Sequence, residues 1–150
     1  MSEIHRDRIL ELVRNVAHKH SVHPPVRTSQ EASEVRGVSL ESGAKALVLV
    51  GKKSKENILC VIPAHKKVDF KALKNSLGDE FTFALEPEKL IGCVPGSVPP
   101  FGSVLGLKTF ADVCLEDELN FNIGLLTESL QLGKHDYLEL EKPTIGVWSK

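Results

Sequence analysis

Lys45 opens an apolar run, "AKALVLV", that reads as a β-strand. Side chains alternate along a strand, so Lys45 shares a face with Leu47 and Leu49, while Ala44, Ala46, Val48 and Val50 take the other. Both faces are apolar, as in a sheet covered on both sides. A lysine at the mouth of such a strand either snorkels to water or aims into a pocket, where its ammonium holds a phosphate or carbonyl oxygen. Further along comes "GCVPGSVPPFG", Gly92 to Gly102, with three glycines, three prolines and no acid or base. Pro99 and Pro100 have no N–H and fix the shape of the loop, and Gly96 has no Cβ to keep a ligand away from the main chain. A stiff loop of this kind can present backbone N–H groups, around Gly96 and Ser97, to a carbonyl oxygen or a developing oxyanion. It has neither phosphate-binding pattern, GxxxxGK[ST] or GxGxxG. The plain alternative is a connection built from ordinary turn residues.

The remaining reactive side chains are scattered. Cys93 lies beside the loop, but a nucleophilic thiol needs a base or a positive field, and no histidine is near it in sequence. It reads as a small space-filling residue. Cys60 and Cys114 fall in apolar strand patterns and read as core. Three separated cysteines without a CxxC pair indicate reduced thiols and an intracellular, cytoplasmic protein. His5, His18, His20 and His23 lack the spacing of a closed metal site and read as exposed residues of a first helix and its exit. No metal or cofactor is expected.

The elements that must position these groups follow from periodicity. Residues 4–20 read as an amphipathic helix, with Ile9, Leu12, Val13, Val16 and Ala17 on one face. "HPPV" ends it. "TSQEASEVRG" reads as a short helix capped by Ser29 and ended by Gly37. "AKALVLV" and "NILCVIP" are strands joined by the polar "GKKSKE". "VDFKALKNSLG" is a helix with Asp69 at its start and Gly78 past its end. "EFTFAL" alternates as a strand, and "EPEKLIG" is a short helix with Pro87 in its first turn. After the loop, "SVLGLKTF", "ADVCL", "FNIGLLTESLQL" and "TIGVW" read as strands, with a helical turn around "HDYLEL". Many strands and few short helices indicate an α+β fold on a mixed, mostly antiparallel, barrel-like sheet, in one domain spanning 1–150.

The net charge of −1 excludes a protein that grips a long duplex, DNA included, and no apolar run is long enough to span a bilayer. Yet charge is uneven. Lys52–Lys74 holds seven lysines against two acids, and Ala111–Pro143 holds eight acids against two lysines. The basic segment is either a solvated surface or a patch that faces phosphates, with His65, Lys66 and Lys67 as its candidate phosphate contacts.

"SGAKALVLV" around Lys45, followed by "GSVPPFG", resembles the YbaK / prolyl-tRNA editing family, over roughly Val22 to Leu140 behind an N-terminal helix. The resemblance implies hydrolysis of the ester joining a wrong amino acid to the 3′ end of a tRNA, with Lys45 holding the terminal adenosine and its phosphate. It implies that the Gly-x-x-x-Pro loop, with Gly96 and Pro100, shapes the aminoacyl pocket and orients substrate and water, and the N–H groups near Gly96 and Ser97 are expected to hold the ester carbonyl. Val98, Phe101 and Thr28 are then expected at the substrate, with His135 and Asp136 of "GKHDYLEL" near a position that lines the pocket in some members. An aminoacyl ester is already activated, so positioning and oxyanion stabilisation suffice, and a loop bare of acids and bases is compatible with catalysis. The expected substrate is alanyl- or cysteinyl-tRNA(Pro). The expected partners are a tRNA acceptor end and an aminoacyl-tRNA synthetase or multisynthetase assembly. The competing expectations are a tRNA-end-binding module without turnover, and a thiol hydrolase using Cys93.

Overall fold

The computed structural model describes residues 2–26 and 28–150. The first helix, α1, covers Ser2–Leu12, and the next regular element is a strand, β1 (His18–Val22). The helix expected to continue to residue 20 therefore stops early. A strand is available to residues 18–22 because β7 (Glu128–Gly133) supplies an antiparallel partner, pairing His18 with Leu132 and Val22 with Glu128. Tertiary pairing overrides local helical pattern here. β6 (Glu118–Asn122) completes this three-stranded sheet, in the order β1-β7-β6. Glu128 ties α1 to it, accepting from Arg6 Nη1 and pairing with His20 Nε2, both at 2.8 Å.

The second sheet carries the lysine strand. β2 (Ala44–Gly51) and β3 (Asn57–Pro63) form the expected hairpin, with Lys45 opposite Ile62. β4 (Phe81–Phe83) adds antiparallel to β2, and β5 (Lys108–Asp112) and β8 (Thr144–Gly146) add in parallel beyond β3. The order is β4-β2-β3-β5-β8, so the mixed α+β character holds, with the strands divided between two sheets. They meet where Gly43 bridges Asn120.

Both faces of β2 are covered, as its sequence requires. One side belongs to a core of Ala44, Val48, Leu59, Val61, Phe101, Phe121, Leu130 and Tyr137, which joins the two sheets. On the other side Leu49, Ile58, Cys60 and Ile62 pack under Leu73 of α3 (Phe70–Leu77) and Trp148. Burying one such aliphatic side chain contributes about 1.5–3 kcal/mol. Asp69 caps α3 by accepting from Ala72 N–H at 3.0 Å. α2 (Ser29–Arg36) is capped by Thr28, whose hydroxyl accepts from Glu31 N–H, rather than by Ser29.

Three further expectations differ. "SVLG" is not strand: Ser103, Val104 and Leu105 belong to a helical turn, α5 (Gly102–Leu105), and Gly106 is its C-cap. Its Gly102 N–H donates to Thr109 Oγ1 at 2.9 Å, and a Cβ at Gly102 would lie 2.2 Å from that oxygen, so the turn closes tightly on β5. Cys114 is exposed, because β5 ends at Asp112 and Cys114 N–H turns back to its carboxylate. His5 is buried, its Nε2 2.6 Å from Ile91 O in α4 (Pro87–Ile91), where α1 packs inward.

At the far end of the chain, buried Asp112 accepts from Trp148 N–H and Ser149 Oγ, each at 2.8 Å. The last residues then pair with the β3–α3 loop, Lys67 and Lys150 exchanging both backbone hydrogen bonds.

Candidate active site

The end of β2 that carries Lys45 opens into a cavity of about 170 Å³. Its wall includes Lys45, Leu47, Ala64, Gly96, Val98 and Asn122. Lysine strand and glycine-proline loop therefore converge, although they are far apart in sequence. Gly43 makes the approach possible at the floor. A Cβ there would come within 2.9 Å of Ala64 Cβ, and the Gly43 carbonyl accepts from Ala64 N–H at 2.8 Å.

Lys45 is half-buried and has no ion pair among the described residues. Burial, and then the nearby Lys67 ammonium, hold it below the ordinary lysine value. An unpaired, partly desolvated cation at a cavity mouth is poised for an anionic or carbonyl oxygen.

The loop is held from three sides. Asn122 Nδ2 donates to Gly96 O at 2.5 Å, and Gly124 N–H donates to Ser97 O at 2.9 Å. Tyr137 Oη donates to Pro100 O at 2.6 Å within the core. Gly96 sits at φ +88°, a backbone that a side chain would strain. This fixes which donors remain. Ser97 N–H and its hydroxyl both bond Val94 O, at 3.0 and 2.7 Å, and the residue is fully buried. Ser97 is thus unable to offer its N–H to a substrate, contrary to the sequence expectation. The N–H groups of Gly96 and Val98 have no partner among the described residues, and both residues border the cavity.

The other expected residues divide. Thr28 borders the cavity, with its hydroxyl engaged in capping α2. Pro100 and Phe101 are buried behind the loop, Phe101 edge-on to Phe121 and Tyr137 at 5.7 and 5.2 Å. They support the loop and do not line the cavity. His135 and Asp136 do not line it either. They lie on α6 (Lys134–Glu141), where exposed His135 pairs with Glu139 at 2.9 Å. One turn of helix carries both outward, while Tyr137 faces the core. None of His65, Lys66 and Lys67 borders the cavity, but Lys67 stands close enough to Lys45 to act on its charge.

No carboxylate, imidazole or thiol borders the cavity among the described residues. Cys93 is buried and its thiol is pushed up to about 11 by burial, so it is protonated at neutral pH and is no nucleophile. No group of His, Cys, Asp and Glu among the described residues could hold a metal ion. Sequence reasoning missed Asn120, Asn122 and Tyr137. Asn120 and Asn122 had a legible signal: two poor strand formers at i and i+2 of "ELNFN" share one face.

Residues 23–140 match the aminoacyl-tRNA editing domain family. The chain belongs to that family. Its activity is aminoacyl-tRNA deacylation, the hydrolysis of the ester between an amino acid and its tRNA. This editing domain is 34% identical over 131 residues to the multifunctional Ser/Thr-tRNA deacylase ProXp-y of Escherichia coli K12, covering 82% of this chain and 78% of that protein. It is 29% identical over 107 residues to a proline–tRNA ligase of Thermosipho melanesiensis, covering 69% of this chain but 18% of the ligase. A crystal structure described as a candidate trans-editing enzyme for prolyl tRNA synthetase superposes on the editing domain with a TM-score of 0.82. That match has 22% identity and covers 97% of this chain and 96% of the other. No helix among the described residues is long and apolar enough to cross a membrane.

Proposed function

We propose that residues 1–150 act as one unit that removes a small, wrong amino acid from tRNA in trans, in the cytoplasm. The terminal adenosine enters past Lys45, whose ammonium holds its phosphate. The ester carbonyl lies against the Gly96 and Val98 N–H groups. Water, oriented by the loop or by the neighbouring ribose hydroxyl, attacks the carbonyl carbon and yields a tetrahedral oxyanion held by those two donors. Its collapse expels the ribose oxygen, which takes up the proton lost by the water, leaving free amino acid and tRNA. No protein base is required, because the ester is activated and the cavity supplies position and charge. What carries the assignment is the convergence of Lys45 with Gly96 and Val98 on one cavity.

The cavity suits a small side chain. Alanine and cysteine on tRNA(Pro) fit the prolyl connection of the family. A second reading, serine or threonine, is favoured by the Asn120 and Asn122 amides on the wall and by the described activity of the Escherichia coli relative. The test is ester loss from tRNA charged in turn with alanine, cysteine, serine, threonine and proline. Accelerated loss of one or more of the first four, with prolyl-tRNA(Pro) spared, is expected. Binding without accelerated loss on all five would instead make the chain a tRNA-end-binding module beside a synthetase.

A further inference from the structure

An apolar shelf runs out from the cavity along the α3 side of the five-stranded sheet. Phe83 pairs with Leu49 across the β2–β4 ladder, so both side chains share a face. Ala84 N–H donates to Val48 O at 3.0 Å, which continues the alignment past β4 and brings Leu85 level with Leu47. Leu47 borders the cavity, Leu85 is 96% exposed, and Phe83 is 51% exposed with its ring edge-on to Phe70 at 5.3 Å. Alternation along β2 puts Lys45 on this same face. Lys67, beside Lys45, leads through the capping Asp69 into α3, where Lys71 is exposed and has no ion pair among the described residues. Cavity, shelf and ammonium groups are therefore continuous.

The chemistry of the shelf selects its occupant. A large exposed leucine and a half-exposed phenylalanine offer flat contact to any apolar partner, but the flanking lysines favour a polyanion. Single-stranded nucleic acid uses both, since each base has a face to stack and each link carries a phosphate. Of the acids nearest this edge in sequence, Glu80 is paired with Lys52 and Lys74 and Glu86 with Lys89, at 3.0–3.1 Å. We propose that Phe83 and Leu85 form a stacking shelf for the unpaired nucleotides that precede the terminal adenosine of the tRNA, with Lys67 and Lys71 meeting their phosphates. This rests on the deacylase assignment of the cavity and extends it outward.

Two measurements separate the two ideas. Hydrolysis of aminoacyl-adenosine, which keeps the terminal nucleoside and lacks the preceding nucleotides, tests the cavity in the unaltered protein. Anisotropy with an uncharged acceptor-stem hairpin, either blunt or ending in four unpaired 3′ nucleotides, tests the shelf directly. The tailed hairpin should bind about tenfold more tightly, the scale of one stacked base. Phe83→Ala and Leu85→Ala, both at exposed positions, should each remove most of that difference. Lys71→Ala should lower the salt dependence by about one counterion. In turnover, Phe83→Ala should raise KM for aminoacyl-tRNA about tenfold more than KM for aminoacyl-adenosine. Equal binding of blunt and tailed hairpins, or variants that keep the full difference, would overturn the shelf whatever the aminoacyl-adenosine result, and would leave the surface to a protein partner.

Discussion

Replacing Lys45 by Met separates the demands of folding from those of catalysis. The lysine is half-buried, has no ion pair among the described residues, and feels the Lys67 charge, so the folded protein bears a cost for it. Methionine has a similar reach and needs no solvation. Discounted for the water that still touches Lys45, the gain is about 1 kcal/mol, or roughly 2–4 °C in Tm for a chain of this size. In the proposed role of Lys45, the same change removes a charge-assisted hydrogen bond to substrate. Losing it costs about 1.5–3 kcal/mol, which is roughly a 10- to 150-fold fall in kcat/KM. Lys45→Met should therefore melt higher and deacylate worse. The pH dependence has a definite sign. A lysine whose folded pKa is lowered binds fewer protons folded than unfolded between that value and 10.5, so the native protein gains stability as pH rises through this window. The Tm advantage of Lys45→Met should be full at pH 7 and shrink towards pH 10. Calorimetry across that range with single-turnover deacylation provides the measurement. A variant that melts lower at pH 7, or one that keeps full activity, would refute the reasoning.

Tyr137→Phe should leave the buried Pro100 carbonyl without its donor, cost about 1–3 kcal/mol in urea unfolding, and lower kcat as the loop loosens. Gly96→Ala must hold an L side chain at φ +88°, a strain of about 1–2 kcal/mol, so kcat should drop at least tenfold while the purified variant remains folded by circular dichroism. Iodoacetamide at pH 7.5 should label Cys114, which is exposed, and spare Cys60 and Cys93, which are buried with thiols pushed up to about 12 and about 11. Mass mapping of the labelled peptides would check this, and Cys93→Ser should retain activity.

Local pattern was enough wherever one element answered to its own sequence. The β2–β3 hairpin, α3 between Asp69 and Gly78, and the Pro87 helix all form where periodicity and caps place them. It failed where a distant partner decides. Residues 18–22 become strand because β7 lies alongside, and "SVLG" becomes helical because Thr109 receives Gly102 N–H. At the site, the types of Lys45 and Gly96 were legible, since an ammonium opening an apolar strand and a glycine amid prolines are both conspicuous. The short-range turn that commits Ser97 N–H to Val94 O was not legible, because hydrogen-bond direction is not written in composition. The outward placement of His135 was not legible, because one helical turn, seen only in three dimensions, carries it to solvent.

The pairing of Lys67 with Lys150 makes the last residues a splint for the loop at the rim of the cavity. Val68 bridges Ser149, and Asp69 N–H donates to Trp148 O at 2.8 Å, so three consecutive loop residues are braced by the final three of the chain. Force or bulk applied at Lys150 is thereby transmitted to the loop beside Lys45. A fusion or affinity handle attached there pulls on the loop beside Lys45, whereas Ser2, at the start of α1, offers an attachment point outside that brace.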